Sequence, residues 1–306
     1  MGEPIYLGVE IGGTKLQLGL GRDDGRLLAL SRLRVESVAG AEGIRRQIAE
    51  ALGPLLAGQP PIAAAGVGFG GPVDRDRGRA IVSNQVEGWA DFPIADWLGR
   101  LIGGATVAVE NDADAAALGE SRWGAGRGLS TVLYVTIGSG IGGGLTVDGR
   151  LYRGGEMGAL EIGHLVVQDQ QRSDQAGALR TLEQVASGWG LARDWRDRAG
   201  GDGVEHLANA ARQGHPVAVE ILADATLAMG RALSAAVNLL APRRVILGGG
   251  VSMLGEDLWF GPIRRAIEPR VFGPFRGRFD VVAAGLGEEV VVHGALAAAA
   301  IASGRQ

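Results

Sequence analysis

The stretch TIGSGIGGGLTVDG, residues 136–149, decides which fold this chain can have. Gly138, Gly140 and Gly143 fit the spacing G-x-G-x-x-G, which in dinucleotide-binding folds ends a strand and opens a helix. Here Leu145, Thr146 and Val147 follow and turn at Asp148-Gly149, the pattern of a strand and hairpin. A Rossmann oxidoreductase is therefore not expected. What remains is a glycine turn after the apolar strand 129–137, and amides unhindered by a Cβ can wrap phosphate oxygens there.

Two more glycine turns follow apolar strands, at Ile11-Gly12-Gly13-Thr14-Lys15 and at Gly248-Gly249-Gly250. The P-loop spacing G-x-x-x-x-G-K-[ST] is absent, because Leu16 follows Lys15. Lys15 is the single lysine among 30 basic residues, and it sits inside a glycine turn. The hydroxyls of Thr14, Thr136 and Ser139 add donors. Three such turns point to nucleotide phosphates.

Outward from these turns, element order is legible. Strands are expected at 5–10, 16–21 and 27–35, a helix at 43–56, a strand at 62–69, a helix at 94–102 and a strand at 106–110. The order then recurs, with strands at 129–137, 144–147, 151–152 and 165–167 around a glycine loop at 138–144. Helices are expected at about 182–197, 203–213 and 216–240, then a strand at 244–247, a strand at 279–283 and a last Ala-rich helix at about 288–303. This gives an α/β chain in two lobes with a ligand cleft between them. The first lobe is expected over 1–110 plus the C-terminal helix at about 288–306, and the larger second lobe over 111–287.

Composition narrows the function. The chain has 306 residues, no Cys and a net charge of −4. Disulfides, thiolate zinc sites and Cys nucleophiles are excluded, and nothing electrostatic favours nucleic acid. Gly accounts for 53 residues, far above the usual ~7%. The N-terminus has no signal-peptide pattern, and no apolar run reaches the ~20 residues of a membrane span. A cytoplasmic protein is expected.

The polar candidates lie beside the turns. Asn111 and Asp112 stand where a strand meets a helix. Either an N-cap or a carboxylate presented as general base fits that position, and the two roles are compatible. Glu161, His164 and Glu183 supply groups for adjacent hydroxyls of a polyol. A metal site of Glu161, His164 and Asp174 is the alternative. His206 and His215 have surface contexts, and His293 sits in the apolar last helix.

IGGTK at 11–15, GFGGPVD at 68–74, ENDADAAALGE at 110–120, TIGSGIGGG at 136–144, EIGH at 161–164, LEQVASG at 182–188 and LGGGV at 247–251 occur in order over nearly the whole chain. This set resembles the ROK-family sugar kinases. The resemblance implies the two-lobed actin-like ATPase fold (ribonuclease H-like), shared with hexokinase. It implies that ATP and Mg²⁺ serve to phosphorylate a hexose or N-acetylhexosamine, with Asp112 as catalytic base. Gly12, Gly13, Thr14 and Lys15 match the first phosphate loop, and Thr136, Gly138, Ser139 and Gly140 the second. Gly249 and Gly250 match the adenosine-side loop. Asn111, Asp112, Glu161, His164 and Glu183 match sugar-binding positions, joined by Gly71 and Asn84. A homodimer is implied, with neither nucleic acid nor membrane as partner.

The sequence departs from the family in places. Glu10 replaces the usual Asp at the first loop. The family's zinc motif falls on 174–183, where its Cys positions hold Asp174, Ala176 and Thr181, so no zinc is expected. Leu160 replaces a usual Gly. These departures keep open a catalytically weak sugar-binding sensor without a DNA-binding domain. The choice of sugar, and of ATP or polyphosphate as donor, also stays open.

Overall fold

The computed structural model describes residues 3–36, 39–83, 85–155, 160–169 and 179–304. In chain order it has β1 (Tyr6–Ile11), β2 (Lys15–Gly21), β3 (Leu27–Arg34), α1 (Gly40–Leu56), β4 (Ala64–Phe69), β5 (Val73–Asp74), β6 (Arg79–Ala80), α2 (Ile94–Leu101), β7 (Thr106–Asn111) and α3 (Asp112–Trp123). Next come β8 (Thr131–Ile137), β9 (Ile141–Val147), β10 (Arg150–Leu151), β11 (Val166–Asp169), β12 (Leu179–Thr181), α4 (Leu182–Ala186), α5 (Gly188–Ala199), α6 (Val204–Arg212) and α7 (Pro216–Leu240). The chain ends with β13 (Arg244–Gly248), α8 (Gly261–Ile267), β14 (Asp280–Ala283) and α9 (Val290–Ala302).

The chain forms two compact units. Unit 1 holds Met1–Gly128, Gly144–Ala159 and Gly285–Gln306; unit 2 holds Leu129–Gly143 and Leu160–Ala284.

In unit 1 the sheet order is β3-β2-β1-β4-β7. β1, β2 and β3 pair antiparallel, while β4 runs parallel to both β1 and β7. Every residue of β1 and β4 is buried, as continuous apolar runs in a covered parallel sheet require. The cover on one side is α9, packed on β1, β4 and α3. Glycine makes that approach possible: a Cβ on Gly66 would overlap the Ala295 carbonyl, and one on Gly294 would overlap that of Ala115. α3 belongs to unit 1 because of this packing, although it follows the boundary expected at 110.

The second sheet has the order β10-β9-β8-β13-β14, with β13 parallel to β8 and β14. β9 begins in unit 2, and its last residues, Thr146 and Val147, pair with β10 in unit 1.

Two expectations need correction. The glycine loop at 138–144 is shorter, because a strand resumes at Ile141. The later glycines serve close packing: a Cβ on Gly144 would lie 2.6 Å from that of Ala117. The helix expected at 182–197 is broken at Ser187, whose Oγ caps α5 by accepting from the Gly190 amide. The glycines on either side of Trp189 carry little helix propensity to oppose the break.

Candidate active site

In unit 1 the parallel strands β1, β4 and β7 end together. The register aligns Ile11 with Phe69 and Phe69 with Asn111, and one step earlier Glu10 with Gly68 and Gly68 with Glu110. The carboxyl ends of such strands are where open α/β sheets bind ligands.

Asn111 is the N-cap of α3. Its Oδ1 accepts from the amides of Ala113 at 2.9 Å and Asp114 at 3.3 Å, and its Nδ2 donates to the Gly71 carbonyl at 3.1 Å. The cap starts the helix and fixes the next residue, Asp112, in its first turn. Asp112 is half-buried, and its Oδ1 accepts from the Ala113 amide at 2.9 Å. Its Oδ2 faces Gly70: a Cβ there would lie 3.6 Å from Oδ2 and 3.5 Å from the Cα of Gly12. The carboxylate thus sits over the first glycine turn. Gly71 also needs to be glycine, since a Cβ would lie 2.6 Å from the Val82 carbonyl.

The turn Gly12–Thr14 links β1 to β2, and the Gly12 amide donates to the Lys15 carbonyl at 2.9 Å. Lys15 Nζ lies 3.1 Å from Glu10 Oε1 and donates to the Glu288 carbonyl at 2.7 Å. Glu10 is buried, and its Oε2 has no hydrogen-bond partner among the described residues. Burial pushes its carboxyl up to about 7; Lys15 opposes the rise, and Asp112 and Glu288 add to it.

A second ionic group stands beside Asp112. Glu110 is 4% exposed and carries a bidentate pair with Arg153, at 2.8 and 2.9 Å, while Arg75 Nε lies 3.3 Å away. Burial pushes the Asp114 carboxyl up to about 7, with Glu110 and Asp112 adding to the rise and Arg153 and Arg75 opposing it.

Unit 2 carries the other glycine turns. Gly138 donates to the Gly140 carbonyl at 2.9 Å, which closes the turn after β8 with Ser139 at its tip. Thr136 is half-buried at the end of β8. Glu183 Oε2 accepts from the Ile141 amide at 2.7 Å, so this residue ties α4 to the turn. Gly140 leaves room for that carboxylate, as a Cβ would lie 2.5 Å from Glu183 Oε2. Gly249 and Gly250 are exposed after β13. Glu161 and His164 are exposed too; Glu161 precedes the short 3₁₀ turn Ile162–His164 and His164 ends it, with His164 Nε2 3.9 Å from Glu161 Oε2.

Asn84 and Asp174 lie outside the described residues. Among the described residues, no three His, Cys, Asp or Glu side chains gather as a metal cage. The sequence reading did not single out Arg75, Glu110, Asp114 or Arg153. It also missed Gln85, whose side-chain amide covers Gly13 so closely that a Cβ there would overlap it.

The chain matches the ROK family model over residues 6–302. It is 34% identical over 304 residues to the glucokinase of Thermotoga maritima, covering 94% of this chain and 95% of that protein. A ROK family glucokinase from Streptomyces griseus, crystallised with glucose and AMPPNP, superposes with a TM-score of 0.80 at 34% identity, covering 96% of this chain and 99% of that one. The ROK hexokinase of Thermus thermophilus superposes with a TM-score of 0.84 at 31% identity, covering 97% and 98%. The α/β fold is that of these actin-like ATPases.

Proposed function

The chain belongs to the ROK family and is a sugar kinase, and from that premise we propose that it phosphorylates a hydroxyl of glucose, or of a related hexose or N-acetylhexosamine, from ATP with Mg²⁺. The observation that carries the reading is the Asp112 carboxylate, fixed by the Asn111 cap and aimed across Gly70 at the first glycine turn.

Phosphoryl transfer needs alignment and charge stabilisation more than covalent help from the protein. Asp112 Oδ2 accepts the proton of the attacking hydroxyl. Oδ1 is anchored to the Ala113 amide, which keeps the carboxylate from rotating away. The N-terminus of α3 favours negative charge at its first residue, Asp112. At the first glycine turn Lys15 and the hydroxyl of Thr14 offer a cation and a donor to phosphate oxygens; at the second, the amides of Ser139 and Gly140 and the hydroxyl of Thr136 offer donors. Glu161, His164 and Glu183 bind sugar hydroxyls as acceptors and donors.

Glu10 suits a hard cation, since it offers a buried carboxylate oxygen that no donor among the described residues satisfies. Mg²⁺, when bound, supplies charge neutralisation of the donor phosphates. A homodimer in the cytoplasm belongs to the same proposal. Among the described residues, no helix is long and apolar enough to cross a membrane.

The test is ADP release by the purified chain over a panel of hexoses and N-acetylhexosamines, with and without Mg²⁺. Mg²⁺-dependent turnover on at least one sugar is expected. Sugar binding by calorimetry without turnover on any of them would favour a sensor instead.

A further inference from the structure

Trp189 is 63% exposed, whereas Trp89, Trp195 and Trp259 are buried and Trp97 and Trp123 half-buried. An indole left in water forgoes a large apolar burial, so its surroundings matter. It is the second residue of α5, and the first turn of that helix is locked onto the glycine turn after β8. The Gly188 amide donates to the Gly138 carbonyl at 2.8 Å, the Trp189 amide to the Ser139 carbonyl at 3.3 Å, and the Gly190 amide to Ser187 Oγ at 3.1 Å. A Cβ on Gly188 would lie 2.8 Å from the Gly138 carbonyl oxygen, so only glycine lets the helix sit this close. These first-turn amides are all occupied. This helix end therefore offers a ligand the indole rather than an anion site.

A second segment packs against the same strand end. A Cβ on Gly249 would lie 2.5 Å from the Ile137 carbonyl oxygen. The turn that follows, Gly250–Leu254, carries Met253, which is 81% exposed. Two large apolar side chains thus stand on the two segments held against Ile137–Ser139, next to a turn built for phosphates. A bare phosphate polymer has nothing to bury against them. A nucleotide has a base, and bases stack on aromatic faces and thioethers.

We propose that Trp189, with Met253 beside the neighbouring turn, contacts the nucleobase of the phosphoryl donor and selects a nucleoside triphosphate over polyphosphate. The proposal rests on the reading of the chain as an ATP-dependent sugar kinase.

The test titrates ADP and inorganic tripolyphosphate into the wild type, Trp189→Ala and Trp189→Phe by calorimetry, with glucose turnover measured on the same wild-type preparation. Because the side chain is exposed, the variants are expected to fold. Trp189→Ala should weaken ADP by about tenfold or more, Trp189→Phe should keep most of the affinity, and tripolyphosphate binding should not change. ADP affinity of Trp189→Ala within about twofold of wild type would overturn the proposal. So would an equal loss for tripolyphosphate, which would mean a disturbed turn, or a change in oligomeric state at unchanged ADP affinity. ADP binding that depends on Trp189 in a wild type without sugar turnover would contradict the kinase reading and leave the nucleobase contact standing.

Discussion

Arg153 closes both terminal guanidinium nitrogens onto Glu110, at 2.8 and 2.9 Å, one residue before the Asn111 cap and two before Asp112. The pair fixes the segment after β10 to the end of β7, where the chain turns into α3. Planar fork-to-carboxylate geometry makes it a strong pair, and the burial of Glu110 makes breaking it costly.

Arg153→Met should therefore lower unfolding stability by about 2–4 kcal/mol, below the full penalty for a stranded buried charge because Arg75 remains. Urea denaturation measures it. The double variant Glu110→Gln/Arg153→Met should recover part of the loss, and equal stability of wild type and Arg153→Met would show that the pair is idle.

Asp114 sets a pH dependence. Its carboxyl is raised to about 7 in the folded chain by burial and by Glu110. Between the ordinary carboxylate range and about 7, the folded state holds a proton that the unfolded state has released. Stability contributed by this group therefore falls as pH rises through that window. Asp114→Asn should match wild type near pH 4 and exceed it near pH 9 by on the order of 2 kcal/mol. Parallel stability curves across that range would contradict the assignment.

Lys15 holds Glu10 and the Glu288 carbonyl together at the first glycine turn. Lys15→Met removes the cation proposed to face the donor phosphates and leaves Glu10 to take up a proton. The expected result is a fall in kcat/KM for ATP of about 10²-fold, with calorimetric glucose affinity unchanged. Unaltered ATP kinetics would make the lysine a structural latch only.

Much of this was legible in the sequence. β1, β4 and β8 announce themselves as apolar runs that end in glycine, because buried parallel strands need no polar face. Asn111 and Asp112 could be located at a strand-to-helix junction because N-caps have a narrow residue preference. The pairing of Glu110 with Arg153 could not be read, since 43 positions separate them and no periodicity links them. The raised pKa of Asp114 depends on those same tertiary neighbours. The break at Ser187 did have a signal, a cap residue followed by Gly-Trp-Gly, but the apolar spacing on either side continued through it. Gly66 and Gly294 fell inside an expected strand and an expected helix, and nothing in the sequence showed that they let α9 lie against β4 and α3.

The central claim is that Asp112 is the base of a sugar kinase, and Asp112→Asn tests it most directly. The measurement is kcat with ATP, Mg²⁺ and the best sugar of the panel, beside calorimetric affinity for that sugar. The account predicts a fall in kcat of about 10²–10⁴-fold with sugar affinity kept within about threefold. A variant that keeps kcat within a few-fold of wild type would contradict it.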